Sequence, residues 1–235
     1  MRSYLIVDDN LPFAENLAEI LRDRGDEVTV AESPAQALTL VKSTHFHAVL
    51  TDMRMPAMSG ADLVHELRLV DPGLAALVIS AYTGDAELER ARHEGVLAVL
   101  PKPVPLPRLM ELLASARRDG MVAVLEDDPA LSDNLGEVLR SHGFSSVIAG
   151  SVTQASELGP RPFVALVDLR LPGGSDGEAG RRFGERFPTV PLLLITAFGE
   201  VPPAFPYQQL FTKPFKTEDL LKVIESIHRD QEPRG

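Results

Sequence analysis

The 235-residue chain contains no cysteine and no tryptophan, and aromatic residues make up only 6% of it. The absence of cysteine excludes disulfides, thiolate metal sites and cysteine nucleophiles together, and suits a reducing compartment. Positive charge is scarce as well: 23 Lys and Arg face 34 Asp and Glu, a formal net charge of −11 that opposes contact with nucleic-acid backbones and anionic lipid surfaces. No apolar run approaches the roughly 18 residues needed to span a bilayer. The N-terminus, Met1-Arg2-Ser3-Tyr4-Leu5-Ile6-Val7, turns acidic at Asp8 and Asp9, too early for the apolar stretch of a secretory signal. The expectation is a cytoplasmic protein that is complete at its start. What remains, 44% hydrophobic and 24% charged residues, is an ordinary globular composition, and the length suits two small domains.

The sequence repeats itself. Leu5-Ile6-Val7-Asp8-Asp9-Asn10, followed by Asn16-Leu17-Ala18-Glu19-Ile20-Leu21, returns as Ala123-Val124-Leu125-Glu126-Asp127-Asp128 and Asn134-Leu135-Gly136-Glu137-Val138-Leu139. Ala48-Val49-Leu50-Thr51-Asp52 matches Ala165-Leu166-Val167-Asp168, Val78-Ile79-Ser80-Ala81-Tyr82 matches Leu194-Ile195-Thr196-Ala197-Phe198, and Pro101-Lys102-Pro103 matches Thr212-Lys213-Pro214. Four islands in one order indicate a duplicated domain, because solenoid units run to only about 20–50 residues. The expected domains are residues 1–118 and 121–235. The join at 119–120 has no spacer, so a helix running to Arg118 would lead almost directly into the next strand and restrict the mutual orientation of the domains.

Within each copy, short aliphatic runs alternate with helix-period segments. In copy one the runs Leu5–Val7, Val28–Val30, Ala48–Leu50, Leu77–Ile79 and Val96–Val99 read as strands buried on both faces. Pro12 to Arg24, Pro34 to Lys42, Gly60 to Leu69, Asp85 to Glu94 and Leu106 to Arg118 read as helices, with prolines in first turns and Gly25 and Gly95 at ends. In copy two the first helix is expected over Pro129–His142 and the last over Lys216–Arg229. Five such alternations predict an α/β fold: a five-stranded parallel sheet covered by helices on both faces, twice. Copy two has a shorter stretch between Thr196 and Lys213, carrying Pro202, Pro203 and Pro206, which predicts a short or missing fourth helix there.

Open parallel sheets bind ligands outside the carboxyl ends of their strands. At those ends copy one places Asp8, Asp9, Asp52, Ser80 and Lys102, and copy two places Glu126, Asp127, Asp168, Thr196 and Lys213. Three converging carboxylates repel one another unless a cation neutralises them, and an all-oxygen set suits Mg²⁺. A lysine and a hydroxyl facing such a site supply the fixed positive charge and the hydrogen bond that phosphoryl transfer requires. Taken singly the same residues read otherwise: Asn10 or Asp128 can cap the first helix of its copy, Asp52 can be a turn residue and Lys102 a surface lysine.

Five positions in order, in both copies, resemble the receiver domain of bacterial two-component response regulators. The resemblance covers nearly the whole chain and implies a flavodoxin-like (βα)5 fold. It also implies one Mg²⁺ per domain and transfer of a phosphoryl group from a histidine kinase or phosphotransfer protein onto Asp52 and Asp168. Asp8, Asp9, Asp52, Glu126, Asp127 and Asp168 would hold the metal, and Ser80, Lys102, Thr196 and Lys213 would stabilise the phosphoryl group. Arg54 and Arg170, two after each acceptor, and Tyr82 and Phe198, two after each hydroxyl, would modulate its lifetime. Lys102-Pro103 and Lys213-Pro214 would be cis. The chain departs from the family in having Val99 and Leu210 three before each lysine, where an aromatic residue is usual.

The expected function is that of a response regulator made of two receivers without an output domain. It would not be an enzyme beyond Mg²⁺-dependent self-phosphorylation, and it would act through a downstream protein partner, with no direct contact to nucleic acid or membrane. A homodimer would form through the first domain. The alternative is a constitutive adaptor whose receivers dock partners without phosphorylation. A haloacid-dehalogenase-type phosphatase would need Asp-x-Asp after the first strand, which neither Asp8-Asp9-Asn10 nor Glu126-Asp127-Asp128 supplies. Gly173-Gly174-Ser175-Asp176-Gly177 lacks the lysine of a phosphate-binding P-loop and reads as a flexible turn.

Overall fold

The computed structural model describes residues 1–81, 86–159, 161–197 and 206–231, with side chains omitted at 86–89. The chain divides into two compact units, Met1–Asp119 and Gly120–Gly235. The first contains β1 (Ser3–Val7), α1 (Leu11–Arg22), β2 (Glu27–Ala31), α2 (Pro34–Val41), β3 (Ala48–Asp52), α3 (Gly60–Val70), β4 (Ala75–Ser80), α4 (Ala86–His93), β5 (Ala98–Pro101) and α5 (Leu106–Ser115). The second contains β6 (Met121–Leu125), α6 (Pro129–Ser141), β7 (Ser145–Ala149), α7 (Val152–Glu157), β8 (Val164–Asp168), α8 (Glu178–Arg186), β9 (Leu192–Thr196), β10 (Gln209–Thr212) and α9 (Thr217–Gln231).

Both sheets are parallel throughout, in the orders β2-β1-β3-β4-β5 and β7-β6-β8-β9-β10. This is the flavodoxin-like α/β arrangement, in which the connections leave β1 and β3, or β6 and β8, in opposite directions and open a crevice at their carboxyl ends. The period-two alternation of each strand feeds two cores. Tyr4 and Ile6 pack with Leu17, Leu21, Leu109 and Leu112 on the α1/α5 side, while Leu5 and Val7 pack with Val41, Leu63, Val64 and Leu67 on the α2/α3 side. In the second unit Val122 and Val124 face α6 and α9, and Ala123 and Leu125 face α7 and α8.

Side-chain caps start the helices. Asn10 Oδ1 accepts from the Phe13 N–H at 3.2 Å, Ser59 Oγ from Asp62 at 3.2 Å, and Asp128 Oδ1 from Ala130 at 2.9 Å. The prolines expected in first turns stand there in α1, α2, α5 and α6.

Most element ends shift by one or two residues from the sequence expectation, and two differences have a clear structural cause. The fifth strand runs over Ala98–Pro101 and not Val96–Val99, because the buried Val96 and Leu97 form the lead-in, with Leu97 N–H bonding Ala76 O at 2.8 Å. The last helix of the first unit stops at Ser115, and Ala116 turns to φ −51°, ψ 127°. The segment beyond it is fastened to its own unit: Arg118 Nη2 donates to both oxygens of Asp71 at 2.7 Å, and Asp119 N–H bonds Gly73 O at 2.8 Å.

Among the described residues no helix stands between β9 and β10, and the proline-bearing stretch 198–205 lies outside the described residues. No helix among the described residues is long and apolar enough to cross a membrane.

Candidate functional site

Each sheet brings its acidic residues, hydroxyl and lysine to one edge. In the first unit Asp8 follows β1, Asp52 ends β3, Ser80 ends β4 and Lys102 follows β5. Asp8, Asp52 and Ser80 are buried, whereas Asp9 is exposed. Asp8 Oδ1 accepts the Asn10 N–H at 2.9 Å, and its Oδ2 accepts Lys102 Nζ at 3.0 Å. The same ammonium lies 2.5 Å from Asp52 Oδ1, while Asp52 Oδ2 accepts the Arg54 N–H at 2.8 Å. The backbone holds the lysine in register, since its N–H bonds Ser80 O at 2.9 Å. The Lys102-Pro103 bond is cis.

The second unit repeats the design. Glu126 Oε1 accepts the Asp128 N–H at 3.2 Å and its Oε2 accepts Lys213 Nζ at 2.6 Å; Lys213 Nζ also donates to Asp168 Oδ2 at 2.5 Å. Asp168 Oδ1 accepts the Arg170 N–H at 3.1 Å. Thr196 is fully buried, its carbonyl accepts the Lys213 N–H at 2.8 Å, and Lys213-Pro214 is cis. Glu126, Asp127 and Asp168 each offer an oxygen within 4.8 Å of the others, with Asp127 on the solvent side. Oxygen donors gathered this closely fit a hard divalent cation with open positions for water and phosphate.

The electrostatics favour a cation. Burial pushes the Asp8 and Glu126 carboxyls above their ordinary values, an effect that hydrogen bonds from the lysine and the backbone reduce without cancelling. Burial works against each lysine ammonium, but hydrogen bonds to Asp52 and Asp8, or to Asp168 and Glu126, outweigh it and hold Lys102 and Lys213 above the usual lysine value. A single ammonium therefore compensates two carboxylates in each unit. In the second unit the exposed Asp127 adds a third carboxylate whose charge a divalent ion would balance.

Of the other residues singled out in the sequence, Arg170 Nε pairs with Asp176 at 3.3 Å, so the glycine-rich turn after β8 anchors this side chain. Arg54 is exposed at the start of the corresponding loop. Val99 and Leu210 are half-buried against the α2/α3 and α7/α8 cores. Tyr82 and Phe198 lie outside the described residues. Sequence reasoning missed Phe13, whose ring centroid is 4.5 Å from Lys102 Nζ. An aromatic residue in the first turn of α1 was the available signal. A cleft of about 600 Å³ bordered by Phe187, Pro191, Pro206 and Tyr207 opens near the amino ends of β9 and β10, away from the carboxylates.

Residues 4–114 match the family model of the response regulator receiver domain. The chain is 62% identical over 232 residues to a response regulator receiver protein of Anaeromyxobacter, an alignment that covers 98% of this chain and 97% of that one. It is 28% identical over 145 residues to the transcriptional regulatory protein ZraR of Escherichia coli O157:H7, covering 62% of this chain and 33% of ZraR. Among solved structures, a response regulator receiver protein from Pseudomonas putida is 32% identical, with a TM-score of 0.46 over 48% of this chain and 94% of its own. The full-length relative, joined to the family match over the first unit, places the chain: it belongs to the response regulator receiver family of two-component signalling proteins.

Proposed function

We propose that both units accept a phosphoryl group, on Asp52 and on Asp168, from a histidine kinase or phosphotransfer protein. The chain would then signal in the cytoplasm through contact with a protein partner. The observation that carries this reading is a lysine bridging two buried carboxylates in each unit, Lys102 between Asp8 and Asp52 and Lys213 between Glu126 and Asp168. The arrangement recurs, residue for residue, at the carboxyl edges of both sheets, where Ser80 and Thr196 end the neighbouring strands.

The chemistry follows from the geometry. One oxygen of Asp52 is fixed by Lys102 and the other by the Arg54 N–H, so the carboxylate is held as an oriented nucleophile. Its oxygen attacks phosphorus, the bond from phosphorus to the donor nitrogen breaks, and that nitrogen keeps the electron pair. Lys102, which donates to Asp52 before transfer, passes to a phosphoryl oxygen, and Ser80 donates its hydroxyl to another. Asp168, Arg170, Lys213 and Thr196 play the same parts in the second unit. Asp8, Asp9 and Asp52, and Glu126, Asp127 and Asp168, would hold Mg²⁺, which when bound neutralises charge on the phosphoryl oxygens. Arg54 and Arg170 flank the acceptors and would limit access of water to the acyl phosphate.

Protein contact as the output is supported by the net charge of −11, which opposes contact with nucleic-acid backbones. A second reading, a constitutive adaptor, draws on the aliphatic Val99 and Leu210, which provide no ring to couple the hydroxyl to an outer face. Incubation with acetyl phosphate and Mg²⁺ separates the two. The proposed function requires base- and hydroxylamine-labile phosphate in the wild type and none in the Asp52→Asn, Asp168→Asn double variant. Partner binding that persists in the double variant, with no label in the wild type, selects the adaptor.

A further inference from the structure

We propose that Phe13 is a positioning residue for the first site, seating the Lys102 ammonium beside Asp52, and that this device distinguishes the first receiver from the second. The inference rests on the proposed phosphoryl transfer and adds to it a residue outside the motif. The contacts form a closed ring. Asp8 Oδ1 accepts the Asn10 N–H at 2.9 Å, Asn10 Oδ1 accepts the Phe13 N–H at 3.2 Å, the Phe13 ring centroid stands 4.5 Å from Lys102 Nζ, and Lys102 Nζ returns to Asp8 Oδ2 at 3.0 Å. The helix cap thus fixes the aromatic ring against the same lysine that the acidic residue holds.

The second unit has every link but one. Glu126 accepts the Asp128 N–H at 3.2 Å, Asp128 caps α6 and accepts the Leu131 N–H at 3.4 Å, and Lys213 Nζ returns to Glu126 at 2.6 Å. Leu131 stands where Phe13 stands, half-buried in the corresponding core, and its aliphatic side chain has no electron-rich face.

The ring does what a leucine cannot. Its face attracts the ammonium without accepting a proton, and it excludes water from that side of the nitrogen. Lysine carries three donors. In the first unit two reach Asp8 and Asp52, and the ring narrows the swing available when the ammonium follows a phosphoryl oxygen. Lys102 therefore remains in place as charge develops, whereas among the described residues Lys213 is held by its carboxylates Glu126 and Asp168.

The test uses the full chain. Phe13→Leu is expected to slow acetyl-phosphate labelling of Asp52 by about three- to tenfold, the range for a cation over a partly hydrated ring, and to leave Asp168 labelling unchanged. Phe13→Tyr keeps the wild-type rate, and Leu131→Phe raises the rate at Asp168, a gain that loss of packing cannot produce. A second readout does not depend on phosphorylation. The ε-methylene protons of Lys102 are shifted upfield by the ring current in the wild type and Phe13→Tyr, and return to ordinary positions in Phe13→Leu.

Equal Asp52 labelling in wild type and Phe13→Leu, or unshifted Lys102 protons in the wild type, overturns the inference. A wild type that takes no label at Asp52 overturns the proposed function instead, and the ring-current comparison alone then decides whether Phe13 seats the lysine.

Discussion

Gly60 stands directly under the acceptor strand: a Cβ built on it would lie 2.3 Å from the Asp52 carbonyl oxygen and 3.1 Å from Met53 Cα. Its N–H bonds Met53 O at 2.8 Å, closing the loop that begins at Asp52. Both obstructing atoms are backbone, so a methyl group can be admitted only by moving the end of β3. Gly60→Ala is expected to cost about 1–3 kcal/mol in urea unfolding, the usual range for overpacking, and to lower Asp52 labelling more than Asp168 labelling. A variant as stable and as readily labelled as the wild type would show that the β3 end yields freely.

The second unit closes the matching loop differently. Gly177 N–H bonds Leu169 O at 2.7 Å, and Gly177 has φ +78°, in the left-handed region that glycine tolerates. Gly177→Ala is therefore expected to destabilise this unit by about 1 kcal/mol through backbone strain. Separate unfolding transitions of the two units, followed by hydrogen exchange, check the assignment.

Arg118 holds the end of the first unit to the buried carboxylate of Asp71, with additional bonds to the Phe46 carbonyl and to His45. Removing the guanidinium leaves Asp71, 7% exposed, without its principal counter-charge. Arg118→Ala is expected to lower stability by about 2–4 kcal/mol. Arg118→Ala combined with Asp71→Asn should recover part of that loss, because no uncompensated charge then remains; a double variant weaker than the single would refute the pairing.

Arg68 is buried in α3 and bonds the Gly95 carbonyl at 2.8 Å, while its Nε and Nη1 have no partner among the described residues. Burial lowers its pKa to about 10, against which the Glu94 carboxylate acts only partly. A cation desolvated for one carbonyl is a poor use of core volume. Arg68→Met is expected to be neutral or stabilising by about 1 kcal/mol in chemical denaturation, and a large loss would mean that the guanidinium organises this side of the unit.

The raised carboxyls of Asp8 and Glu126 give a signed pH dependence. A carboxyl raised on folding leaves stability intact below its unfolded value of about 4 and withdraws stability as pH rises through the folded value. Without divalent cation, the protein should gain stability on moderate acidification from neutrality. With Mg²⁺ the ionised form is compensated, the unfolding temperature at neutral pH rises, and the cation effect fades as pH falls because protons compete for the same oxygens. Parallel pH profiles with and without Mg²⁺ would contradict this account.

Much of this architecture was legible in the sequence because the signals are local. Aliphatic runs of three or four residues, prolines in first turns and the caps Asn10 and Asp128 follow from backbone chemistry, and the duplication fixed which carboxylates belong together. What was not legible depends on distant partners. The start of β5 shifted because Val96 and Leu97 are core residues before they are strand residues. The last helix of the first unit ended early because Arg118 pairs with Asp71, 47 positions away. Nothing local in the sequence marks Arg68 as a buried residue; its burial follows only from the packing of α3 against the Gly95 turn. The Phe13 ring beside Lys102 joins a helix start to a strand end 89 positions later, a juxtaposition only the closed sheet creates.

The central claim is two chemically competent acceptors in one chain, and intact mass after acetyl-phosphate treatment tests it most directly. With Mg²⁺ the wild type is expected to carry up to two phosphoryl groups, Asp52→Asn and Asp168→Asn one each, and the double variant none, with labelling abolished throughout by chelation. Label that survives in the double variant, or a wild type that stays unlabelled under conditions where it binds beryllofluoride in neither unit, would contradict the account.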